Sequence, residues 1–161
     1  MITQKILFII LLFSQILLFS SYYYIIPKYN PTEFWGNISK NKWKYYLRVA
    51  FIAYILNLLL YLYFSFKKNI DETTIFYVLL TLLFYYGLQM YFLPIVLTKN
   101  KSYIRLLLGI CVFPIFYLAF LAYNQSKKIK NFNEKIFLYI AGILPFLHVL
   151  INDFLKYGFE F

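Results

Sequence analysis

The chain holds a single histidine, His148, followed four residues later by Asn152 and five later by Asp153, all within or at the end of one apolar run, Ile136 to Leu155. An imidazole beside an amide and a carboxylate is a proton-handling combination, because histidine changes charge near neutral pH and a neighbouring carboxylate sets where. On an α-helix His148 and Asn152 share a face. Asp153 is turned about 140° from His148 at ~100° per residue, so the pattern predicts no direct pairing between these two. The same geometry directs Asp153 toward Lys156, as an ion pair near the membrane surface. A carboxylate for His148 would then have to come from another apolar run, and none contains one.

Other polar residues within apolar runs are Gln15, Asn57 and Gln89. With His148 and Asn152 they form a candidate polar cluster, because an unpaired amide or imidazole in hydrocarbon is unfavourable and turns inward. The bland reading is hydrogen-bonding glue between helices, with His148 bonded to Gln15 or Asn57. The sharper reading is a polar cavity lined by Asn57, Gln89 and His148.

No catalytic constellation accompanies them, and no catalytic, cofactor-binding or metal-ligating residue is assigned. One histidine and one buried-type cysteine, Cys111, do not make an ordinary zinc site, and two histidines to ligate a haem are missing. No paired carboxylates occur within the runs, and neither G-x-S-x-G nor a phosphate-cradling glycine loop occurs.

The elements that carry these residues are long and apolar. Of 161 residues, 63% are hydrophobic and only 14% charged, more apolar surface than a soluble domain of this size can hide. Five runs, 6–26, 45–66, 74–97, 104–123 and 136–155, are each long enough to cross a hydrocarbon core of about 30 Å at ~1.5 Å per residue. The sequence therefore predicts an all-α, polytopic transmembrane helical bundle of about five spans in one domain. The first run is read as an uncleaved helix, since no A-x-A-like site follows it.

Between the first two runs, Asn30-Pro31-Thr32-Glu33 has the form of a helix start and predicts a short interfacial helix or loop. Trp35, Trp43, Tyr45 and Tyr46 read as interfacial anchors, an aromatic belt at headgroup level. Asn69 with Glu72, and Asn131 with Glu134, predict caps for the third and fifth helices. Pro114 and Pro145 predict bends. Gly87 is read as a place where a neighbouring backbone could approach.

The net charge of +10 sits in short connections, with no polar domain to form a groove. It matches anionic lipid headgroups better than nucleic acid. Nineteen Phe, 18 Tyr and the excess of Lys over Arg, 14 to 2, follow AT-rich codons. They suggest an AT-rich source such as a protist, an organelle or a large virus. The partners expected are the lipid bilayer and other membrane-protein subunits or the chain itself. The function expected is that of a non-enzymatic structural or accessory membrane component. The alternative is a small transporter or channel, and an intramembrane enzyme is third. Which membrane holds the chain is not legible.

Overall fold

The computed structural model describes residues 2–25, 40–67, 70–97 and 101–157. They form five α-helices, α1 (Ile2–Ile25), α2 (Lys40–Phe66), α3 (Glu72–Leu97), α4 (Lys101–Lys128) and α5 (Phe132–Leu147). From His148 to Tyr157 the last helix continues with π winding. No strand occurs among the described residues. Four stretches, Lys44–Phe66, Glu72–Tyr91, Ser102–Lys128 and Phe132–Leu155, are long and apolar enough to cross a membrane. The comparable stretch of α1, Lys5–Ser20, is shorter.

In lipid there is no hydrophobic drive between helices, so close packing and interhelical hydrogen bonds must hold the bundle. α3 packs against α1 and α4, α4 against α5, and α5 against α2. Aromatic contacts close the ring between α1 and α2: Phe8 stacks on Tyr61 at 5.3 Å, and Phe19 meets Tyr54 edge-on at 5.2 Å. Tyr54 in turn stacks on Tyr86 of α3 at 5.1 Å. The rest of the interior is built on Leu11, Leu18, Leu79, Leu82, Ile115 and Leu138, with Phe64 and Tyr85 buried beside them. Cys111 is buried among them as a small core residue.

The helix ends show local sequence at work. Asn131 accepts from the N–H groups of Asn133 and Glu134 at 2.9 and 3.2 Å, as its place before an apolar run predicts. Asn69, the expected cap of α3, lies outside the described residues. The carboxylate of Asp71, directly before the helix, accepts from the Thr74 N–H and hydroxyl, both at 2.7 Å. The charged oxygen suits the positive end of a helix. These bonds hold the Asp71 carboxyl below its usual range, so the cap is intact above about pH 4 and weakens as pH falls through the folded value.

The connection expected over Gln125–Lys135 shrinks to Ile129–Asn131, because α4 continues through Lys128. Ser126 bonds back to the Tyr123 carbonyl at 2.6 Å, and Lys127 and Lys128 sit at the negative end of the helix dipole.

Small residues mark one close approach, and it is not at Gly87. That glycine is exposed, with nothing within 4 Å of where a Cβ would stand. A Cβ on Gly142 would lie 2.8 Å from the Ala122 Cβ and 3.2 Å from the Ala119 Cα, so α5 and α4 touch almost backbone to backbone. The interfacial helix expected near residues 30–36 and the anchor Trp35 lie outside the described residues, as does the side chain of Trp43.

Candidate functional site

Pro145 interrupts the ordinary hydrogen bonding of α5. With no N–H, it leaves the Ala141 carbonyl without its usual donor. Three residues later the His148 N–H is shared between the Leu144 and Pro145 carbonyls, and the winding becomes π from there. Bonding from i to i+5 turns the chain less per residue than an α-helix does. The fourth and fifth residues after His148 therefore fall on either side of it.

This overturns the reading that Asp153 points away. The Asp153 Oδ1 lies 3.8 Å from the His148 Nε2, and the Asn152 Nδ2 lies 3.0 Å from the His148 Nδ1. Asp153 does not reach for the surface either: it is 4% exposed, and its Oδ1 accepts from the Tyr46 hydroxyl of α2. The Lys156 side chain, its expected surface partner, lies outside the described residues. Tyr46, read from the sequence as an interfacial anchor, is turned toward the bundle interior. Its ring packs on the His148 imidazole at 5.3 Å while its hydroxyl holds Asp153. Tyr45, its neighbour, does stand out from the bundle, 70% exposed.

The arrangement has a chemical direction. With the Asn152 amide donating to Nδ1, a neutral His148 carries its proton on Nε2, facing Asp153. At 3.8 Å this is too long for a hydrogen bond and suits a bridging water. A cavity of about 30 Å³ adjoins the pair, lined by Gln89, His148 and Asp153 together with Tyr46 and apolar side chains of α1 and α2. That volume holds ordered water and little else. Gln89 is 5% exposed, its Nε2 buried without a partner. It supplies the further donor such a water needs.

The other expected members form a separate group. Gln15 of α1 and Asn57 of α2 flank the Tyr86 hydroxyl of α3. The Gln15 Nε2, Asn57 Oδ1 and Tyr86 hydroxyl are all buried, within reach of one another but not aligned as hydrogen bonds. A donor, a hydroxyl that does both, and an acceptor are the parts of a chain linking three helices. Neither Gln15 nor Asn57 is the partner of His148, so the expected cavity of Asn57, Gln89 and His148 is split. Gln89 and His148 share one cavity, and Asn57 belongs elsewhere.

A second polar clamp joins α2 to α5 near the other end of the pair. Glu134 accepts from Lys67 and, at 3.1 Å, from the Tyr63 hydroxyl. This bond and the carboxylate's charge hold the Lys67 ammonium above its usual range. Tyr46 and Tyr63 are 17 positions apart, so the two clamps stand about 25 Å from each other along α2.

Sequence reasoning missed Tyr46, Asp153 as partner of His148, and Tyr86. The aromatic excess hid the two tyrosines, whereas Pro145 just ahead of His148 was a signal that helical register could change. Among the described residues no three His, Cys, Asp or Glu side chains converge as metal ligands. Comparison with known proteins finds no matching family model, no similar curated protein and no similar solved structure, so the reading of this site rests on its own geometry.

Proposed function

We propose that the chain serves its membrane as a non-enzymatic, multi-pass structural or accessory component that presents apolar flanks to lipid and to neighbouring helices. The observation that supports this most is the division of its side chains. Large apolar groups such as Phe13, Ile55, Phe84, Phe113 and Phe120 face outward on α1, α2, α3 and α4. The polar groups withdraw into compact clusters that tie helices together. A soluble protein rarely exposes apolar surface on this scale, whereas a membrane component or subunit requires it.

A second reading has its own support. Gln89, His148 and Asp153 come from two helices onto one water-sized cavity, and a buried ionisable pair within a span is a feature of proton-coupled carriers.

Proton and solute flux into liposomes carrying the purified chain separates the two. Flux equal to that of empty vesicles for wild type, His148→Ala and Asn57→Leu is the expected result. Flux in wild type that disappears in His148→Ala and persists in Asn57→Leu would establish the carrier reading instead.

A further inference from the structure

At the end of the bundle marked by Lys67, three span ends meet: the last residue of α2, the last turn of α4 and the first turn of α5. Between them lies a cavity of about 390 Å³ lined by Lys67, Gln125, Lys128, Ile129, Lys130, Asn131 and Glu134. Three ammonium groups and two neutral amides, Gln125 and Asn131, accompany a single carboxylate, and that carboxylate is already engaged by Lys67 and Tyr63. Lys128 and Lys130 make no ion pair among the described residues. Both are set in place by a connection of only three residues. Its ends are fixed by the Ile129 N–H donating to the Ser126 carbonyl at 3.4 Å and by the Asn131 cap.

Depth points to what fills the cavity. Lys67 lies over the Tyr63 ring at 5.5 Å and Lys127 over the Tyr123 ring at 4.2 Å. Long cationic side chains laid over tyrosine rings are typical of the headgroup layer, where stems stay in apolar surroundings and charges reach polar ones.

We propose that this pocket binds the phosphate of an anionic phospholipid, its headgroup held by Lys67, Lys128 and Lys130. The capping amide already occupies the N–H groups of Asn133 and Glu134, so the lysines rather than the helix terminus carry recognition. This site goes beyond the functional readings above and depends on neither.

The test is native mass spectrometry of the full chain in detergent, titrated with phosphatidylglycerol, with phosphatidylcholine and with inorganic phosphate. Phosphatidylglycerol is expected to be retained at one site in preference to phosphatidylcholine, with inorganic phosphate unable to displace it. Lys128→Gln combined with Lys130→Gln is expected to weaken retention about fivefold per lysine, or roughly twenty-five-fold for the pair. Lys44→Gln with Arg48→Gln removes the same charge from the other end of α2 and is expected to leave retention unchanged. Thermal unfolding of both double variants in detergent is expected to match wild type, so that lost retention is not lost folding. Equal retention of the two lipids, displacement by inorganic phosphate, or equal loss in both double variants would each overturn the proposal.

Discussion

Asp153→Leu is expected to destabilise the bundle by about 2 kcal/mol, because it leaves the buried Tyr46 hydroxyl without its acceptor and removes the carboxylate to which a water can bridge the His148 Nε2–H. Each unsatisfied buried polar group costs about 1–3 kcal/mol, and lipid offers neither a replacement. Asp153→Asn leaves an oxygen to accept from Tyr46 and is expected to lose well under half as much. The interaction should also appear as non-additivity. Tyr46→Phe and Asp153→Leu together are expected to cost at least ~1 kcal/mol less than the sum of the two, since the second change finds its partner already gone. Unfolding in mixed detergent micelles measures all four proteins. Additive effects, or an Asp153→Leu variant as stable as wild type, would show that the carboxylate is not holding α2 to the π segment.

Gly142→Leu should be at least as damaging for the opposite reason, too much volume rather than too few bonds. Even a methyl group there meets the Ala122 Cβ at 2.8 Å and the backbone of Ala119 at 3.2 Å, and backbone cannot swing aside. Overpacking typically costs about 1–3 kcal/mol, and a leucine that forces two helices apart belongs at the upper end. Gly142→Ala provides the finer measurement. In an open helix position the alanine would gain about 1 kcal/mol in propensity. Here it is expected to lower thermal stability instead, with partial recovery when Ala122→Gly removes the closest contact. A rise in melting temperature for Gly142→Ala alone would mean α4 and α5 are not in close apposition.

These two sites show which parts of the fold could be read from residue order. Apolar length gave the helices and their approximate limits, because backbone groups in lipid have few alternatives to internal bonding. The Asn131 cap was legible for a similar reason, since it needs only local spacing. Asp153 was not, because assigning its direction requires the hydrogen-bond register of the backbone, and the α-helical assumption of 100° per residue placed it on the wrong side. Gly87 and Gly142 are chemically identical, and only the helix opposite distinguishes them. Ala119 and Ala122, three apart and facing Gly142, were the available hint. Tyr46 and Tyr86 were lost in a sequence with 18 tyrosines, where composition alone explains any one of them.

The π winding after Pro145 also bears on chain length. A π turn accommodates one residue more than an α turn over the same rise, and it is what a single-residue insertion into a regular helix leaves behind. Deleting one residue between His148 and Asp153 would make the carboxylate the fourth position after the imidazole, on the same side of an ordinary α-helix. The contact between them can thus survive in a chain one residue shorter. If the residue removed is Val149, Leu150 or Ile151, the amide becomes the third position after the imidazole and also stays on its side, so the π winding is one of two registers that bring both groups to one ring.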